Sequence, residues 1–222
     1  VTLYRKHPLM GWIGIYLDEI CGGRFDFSDM EDFRHLKYTY QVPDTPRICY
    51  NEVALPQQLQ CRYVRYKAME WKNTNIGELL FWGGKTRYYP ETVKGAPAEN
   101  PVNVQERMFD DDPLTYYSTR LPGATLLMDF GKQVEMDRFI FIPRNDDNFI
   151  RIGDTYELYY HDGRNGWVSL GRKTASAPEL VYDNMPRGAL FHLRCLTRGE
   201  EEQVFHIKDG KQVFISNLSY IR

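Results

Sequence analysis

The chain has 222 residues, 42% of them hydrophobic and 26% charged, and its 28 Lys+Arg against 30 Asp+Glu leave a formal net charge of −2. That hydrophobic share can bury a core and excludes wholesale disorder, and the length admits one large domain or two small ones. The near-neutral balance lacks the concentrated positive field that nucleic acid requires, and no apolar run approaches the roughly 18 to 20 residues that span a bilayer. Neither a nucleic-acid partner nor a membrane span is expected, which leaves room only for a local basic patch. The opening residues have no Met and no signal-peptide apolar region, so whatever preceded them is expected to have been removed.

In chain order, the first helical signal is 28–36, where Ser28 precedes Glu31 by three residues as in a capping box, and the second is 102–109, after Asn100 and Pro101. Each is expected to make one or two turns. All other periodic segments read as strand. The 16 Tyr, 12 Phe and 4 Trp make 14% of the chain and cluster in short runs bounded by Gly, Pro, Asn and Asp, the texture of an all-β protein. Strands are expected at 125–130 and 138–142. In 155–161, Tyr156, Leu158 and Tyr160 alternate with polar residues, and the turn residues of 162–166 lead into 167–170 as a hairpin. In 189–196, Ala189, Phe191, Leu193 and Cys195 share one face, with His192 and Arg194 on the other. Strands at 204–207 and 212–215 complete the set.

Cys21, Cys49, Cys61 and Cys195 form no CxxC pair and have no histidine at zinc-ligand spacing. Buried thiols are favoured over a Cys49–Cys61 bond, which would suit two adjacent strands. Gly and Pro concentrate from Gly83 to Pro101, where no periodic apolar pattern survives. The expected organisation is therefore a domain at 1–84, a linker at 85–100 and a domain at 101–222. A faint repeat supports it: Tyr63-Val-Arg-Tyr66 followed by Glu78-Leu-Leu-Phe81, and His192-Leu-Arg-Cys195 followed by Glu202-Gln-Val-Phe205.

The second half then resembles the discoidin, or coagulation-factor type C, domains of the galactose-binding-like jelly rolls. The residues that carry the likeness are Phe109-Asp-Asp-Asp-Pro-Leu-Thr-Tyr-Tyr117 by its order, Leu127-Met-Asp-Phe-Gly-Lys132, Pro143-Arg-Asn-Asp-Asp-Asn-Phe-Ile150, Gly153-Asp-Thr-Tyr-Glu-Leu-Tyr159 and Trp167-Val-Ser-Leu-Gly171. The first half is similar to a shorter relative, through Gly22-Gly-Arg-Phe-Asp-Phe-Ser28, Arg62 to Tyr66 and Asn75 to Gly83. The resemblance implies two jelly-roll β-sandwich domains, the first abbreviated, with its opening strands cut away or supplied by upstream chain. Tandem pairs of this kind are similar to the C-terminal parts of secreted Bacteroidetes proteins whose upstream domain is transglutaminase-like or hydrolytic. An extracellular, periplasmic or cell-surface setting is implied by that likeness.

No catalytic set is expected: His7, His35, His161, His192 and His206 are scattered, and there is no G-x-S-x-G elbow. Asp146 and Asp147, as adjacent loop carboxylates, suit turn capping better than acid–base work. Asp110, Asp111 and Asp112 with Thr115 are the strongest cation candidate, since clustered oxygens on a tight loop suit calcium. In the resembled modules a glutamate near the domain's end completes such a structural site, which implies Asp110, Asp112, Thr115 and Glu202 as ligands, with Glu78 the counterpart of Glu202 in the first half. Asp111 stands where the family has glycine. The loop Arg144, Asn145, Asp146, Asp147, Asn148 and Phe149 offers a forked donor, amides and acceptors beside an aromatic, as a sugar requires, or else forms an internal hydrogen-bond knot. Trp12 and Trp71 are further sugar platforms, whereas Trp82 and Trp167 read as core or interface. The expected function is a non-catalytic carbohydrate-binding accessory module with a glycan partner. The alternative is a structural or protein-interaction module that packs on an upstream domain and binds no sugar.

Overall fold

The computed structural model describes residues 1–5 and 13–215. The chain is all-β apart from one short α-helix and one 3-10 segment among these residues, and its sheets are sandwich-like. Contacts divide the described residues into a continuous unit, 13–146, and a discontinuous unit made of 1–5 with 147–215. Strand β1 (Thr2–Leu3) belongs to the discontinuous unit, because it pairs with residues 180 and 181.

In the continuous unit, helix α1 (Ile13–Ile20) precedes β2 (Arg24–Ser28), β3 (Tyr38–Gln41), β4 (Asn51–Lys67), β5 (Thr74–Gly83), β6 (Thr86–Tyr88), β7 (Thr92–Gly95), β8 (Tyr117–Thr119) and β9 (Thr125–Pro143). These strands make one antiparallel sheet in the order β3-β2-β4-β9-β5-β6, with β7 on β9 and β8 on β5. Strand β9 joins the two expected strands at 125–130 and 138–142 into one. Phe130 and Phe139 lie nine positions apart on it, about 30 Å if the strand were straight. Yet both rings meet Phe81, at 5.3 and 6.0 Å between centroids, so β9 bends over the core. Gly131, at φ +71°, lies within that bend, and the pairing with β4 slips in register at two places. Phe25, Phe27, Val64, Tyr66, Leu126 and Phe141 fill the same core.

The discontinuous unit adds β10 (Thr155–His161), β11 (Trp167–Thr174), β12 (Leu180–Val181), β13 (Leu190–Cys195), β14 (Glu200–Glu201), β15 (Phe205–Lys208) and β16 (Lys211–Phe214). Its main sheet runs β11-β10-β13-β15-β16, with β14 paired to β13. The alternation read in the sequence is obeyed: Tyr156, Leu158, Phe191, Leu193, Cys195 and Phe205 are buried. Leu3 joins this core from the far end of the chain.

Three features differ from the sequence reading. Segment 85–100 carries β6 and β7, and strands from both sides of it share one sheet, so the division of contacts falls at 146/147 rather than within 85–100. Gly95 within it and Gly83 just before it serve close approach instead of flexibility: a Cβ on Gly83 would lie 2.1 Å from the Glu135 carbonyl oxygen, and one on Gly95 2.0 Å from that of Thr125. Segment 28–36 is not helical. Ser28 ends β2, donating to the His35 carbonyl (2.8 Å) and accepting from the Met30 amide (3.0 Å), which closes a turn. The expected helix at 102–109 is a 3-10 segment over Gln105–Phe109. Helix α1 was not expected, since Ile13, Gly14 and Ile15 are poor helix formers. It is held by Ile20 in the core and by Lys72, which donates to the Asp18 carbonyl at 2.6 Å.

Candidate functional site

The loop that follows β9 is an internal knot. Asn145 is 1% exposed and donates to the carbonyls of Pro113 (2.7 Å) and Pro143 (3.4 Å), while Asn148 and Phe149 are buried as well. Asp146 takes the Arg144 guanidinium at 2.8 Å, within the continuous unit. In the discontinuous unit, Asp147 accepts from Arg5 at 2.8 Å and also from Arg151. Asp146 and Asp147 both sit at positive φ, where Asp is among the residues that tolerate the left-handed region. Burial therefore removes Asn145, Asn148 and Phe149 from direct contact with a ligand and leaves them holding the loop.

Arg144 does reach a small polar cleft of about 180 Å3, shared with Tyr16, Glu19, Asn73, Asn75 and Arg120. Its guanidinium is sandwiched between the Tyr16 and Tyr116 rings at 3.8 and 4.0 Å. Glu19 accepts from Asn75 and Asn73, and desolvation holds its carboxyl above the usual range. The polar groups in this cleft largely satisfy one another.

Trp71 stands differently. Its residue is 70% exposed, the highest value among the exposed large hydrophobic residues described. It rims a cleft of about 290 Å3 lined by Arg24, Gln41, Lys67, Met69 and Glu70. Sheet register builds this cleft: Arg24 on β2 faces Gln41 on β3 and Lys67 on β4, so guanidinium, amide and ammonium stand in one row at the sheet's end. The row lies on the face opposite Phe25 and Phe27, which belong to the core. Below it, Asp26 is fully buried and accepts from Thr39 (2.9 Å) and Arg65 (2.7 Å), fixing that face. The turn after β4 then carries Trp71 beside the row. Trp12 and His7 lie outside the described residues.

The acidic loop ties itself together. Thr115 donates its hydroxyl to both carboxylate oxygens of Asp110 (2.9 Å each), Asp110 also takes the Asp112 amide, and Asp112 caps the Leu114 amide. Asp111 adopts φ +60°, the conformation that glycine would take, and binds the Tyr89 hydroxyl at 2.9 Å. The glutamate beside this loop is Glu78. It is 1% exposed, and burial together with the adjoining Asp110 carboxyl pushes its carboxyl up to about 8. Glu202 lies in the other unit and gives its Oε1 to Arg5 at 2.6 Å. Among the described residues no group of three or more His, Cys, Asp and Glu is placed to hold a metal ion. All four cysteines are buried free thiols, and burial raises each of them.

Trp167 was read as core or interface, yet it is 43% exposed and packs edge-on against His161 at 5.3 Å. Its position at the first residue of β11, on the face away from Leu158 and Phe191, was derivable from the alternation of β10. No helix of the described residues is long and apolar enough to cross a membrane. Comparison with protein-family models, with curated proteins and with solved structures finds no match.

Proposed function

We propose that the protein is a non-catalytic carbohydrate-binding module of jelly-roll type, resembling the discoidin domains, that acts as an accessory part of a larger surface or secreted protein. One observation carries this reading: the exposed Trp71 indole beside the Gln41, Arg24 and Lys67 row. A pyranose has an apolar C–H face and paired hydroxyls at its edge. An open aromatic plane takes the first, and a row of amide and cationic donors with the Glu70 acceptor takes the second. A module of this kind works by raising the local concentration of an attached partner on a glycan surface.

Calcium enters the reading as a structural ion. Asp110 and the adjoining buried Glu78 offer carboxylates to a hard cation, whereas Glu202 is neutralised by Arg5. The Trp71 site is tested by titrating the protein with neutral oligosaccharides and following tryptophan fluorescence. Binding that falls roughly tenfold or more in Trp71→Ala, with an unchanged melting temperature, supports it. Equal binding by wild type and Trp71→Ala refutes it.

A further inference from the structure

The solvent-facing side of the main sheet of the discontinuous unit is organised in rows. Residues 156, 158, 191, 193 and 205 point to the core, so 157, 159, 161, 190, 192, 194 and 206 point away. On that outer side, Val213 faces His206, His206 faces Leu190, and His161 faces Trp167. Tyr160 pairs with Phe191, so the next positions, His161 and Leu190, fall side by side and close the row across all five strands. Four inter-strand spacings make it about 19 Å long. Trp167, Leu190 and Val213 are 43, 41 and 38% exposed. A second row holds Ser169, Tyr159 and His192, the last with its ring 5.6 Å from Trp167. A third holds Arg172, Glu157 and Arg194.

The far end of this side carries two lysines, which flank the turn residues Asp209 and Gly210. Glu157 is already neutralised by Arg172 at 3.0 Å and by the Ser169 hydroxyl. Lys208 and Lys211 face each other directly across the β15–β16 turn and make no ion pair within the described residues. Like charges placed opposite one another on a sheet are unfavourable unless an anion joins them. The side thus combines an aromatic plate, a line of imidazoles and a basic end, in a chain whose net charge is −2.

We infer that this face binds an extended acidic polysaccharide, its pyranose rings stacked along Trp167 and the imidazole row and its carboxylates drawn to Lys208 and Lys211. A flat, long, ring-and-charge pattern fits a polymer of uronic acids better than a neutral glycan, which has no use for the lysine pair, or a protein, which would need a broader apolar core. The inference rests on the carbohydrate-binding reading for the class of ligand and adds a separate site to it.

The test is isothermal titration and affinity electrophoresis of the whole chain with polygalacturonate, with its fully methyl-esterified form, and with a single-stranded oligonucleotide. The variants are Trp167→Ala, Lys208→Glu with Lys211→Glu, and Trp71→Ala as the control. Polygalacturonate should bind more tightly than the esterified form and weaken with salt, and the first two variants should each cost roughly tenfold or more, with melting temperatures kept. Trp71→Ala should leave this binding intact. Equal binding of polygalacturonate by wild type and Trp167→Ala overturns the inference, as does equal or tighter binding of the oligonucleotide. Neutral-sugar binding lost in Trp71→Ala, without polygalacturonate binding, leaves the Trp71 reading standing and the inference fallen. The reverse pattern does the opposite.

Discussion

Glu78 is the residue whose chemistry is least at ease with its surroundings. Its carboxyl is buried beside Asp110 and Asp111, and only Arg87 works in the other direction. Its folded value of about 8 lies above its ordinary 4.5, so the fold favours the protonated form. The stability this supplies is complete below pH 4.5 and is lost as pH rises through about 8. Glu78→Gln keeps the shape and removes the titration. It should raise unfolding free energy at pH 7 by about 3 kcal/mol and flatten the profile between about pH 4.5 and 8, as read by urea denaturation at several pH values. Identical slopes for wild type and variant would refute the account. In the calcium reading, millimolar calcium flattens the wild-type profile too, and EDTA restores its slope. This residue was legible in the sequence only as the repeat partner of Glu202. Both glutamates are buried, but Glu78 lies within β5 and Glu202 outside any strand, and the charge that answers Glu202 comes from Arg5, 197 positions away. The Arg144 loop left two readings open for a related reason: a polar side chain satisfied inside the molecule and one waiting for a sugar have the same composition. Trp71 was legible because its neighbours are polar or charged, so its sequence offers no apolar face to bury.

At the scale of elements, alternation identified β10 to the residue, 155–161 being its span, and β13, β15 and β16 within one residue at each end, but it cut β11 short at 170 and missed β1, β12 and β14. It could not identify their partners. The Gly- and Pro-rich stretch near 83–95 looked like a linker because glycine marks both flexible chain and places where two backbones nearly touch. The two meanings separate by substitution at adjacent positions. Gly83 needs no unusual φ but leaves no space, since a Cβ would meet the Glu135 carbonyl oxygen at 2.1 Å. Gly84 has φ +57° and nothing within 4 Å. Gly83→Ala must therefore push β5 from β9 and should cost about 2 to 3 kcal/mol, whereas Gly84→Ala carries only the left-handed penalty of about 1 kcal/mol. Chemical denaturation of the two variants decides the point, and a cost for Gly84→Ala equal to or above that of Gly83→Ala would return the segment to a linker.

At the scale of the whole molecule, the chain builds one unit from residues that enclose the other in sequence. The two hydrophobic cores share no residue, and the discontinuous unit depends on its first five residues for Leu3 and Arg5. Arg5 is 1% exposed, and its guanidinium meets Glu202 at 2.6 Å, Asp147 at 2.8 Å and Glu200. The Glu202 carboxylate is out of water and is answered by this cation, whereas Asp147 and Glu200 keep 26 and 31% of their side-chain exposure, so removing Arg5 leaves the buried Glu202 charge unanswered. Arg5→Ala should destabilise the discontinuous unit by about 3 to 5 kcal/mol. The effect should be confined to that unit, because local opening follows the contacts a segment makes. Hydrogen exchange read by mass spectrometry should show amides of β10 and β13 losing protection while those of β4 and β9 keep theirs. Equal loss of protection in β4 and β9 would mean that the two cores unfold as one cooperative body. Confinement of the loss would show that residues at the two ends of the sequence fold together around an independent insert.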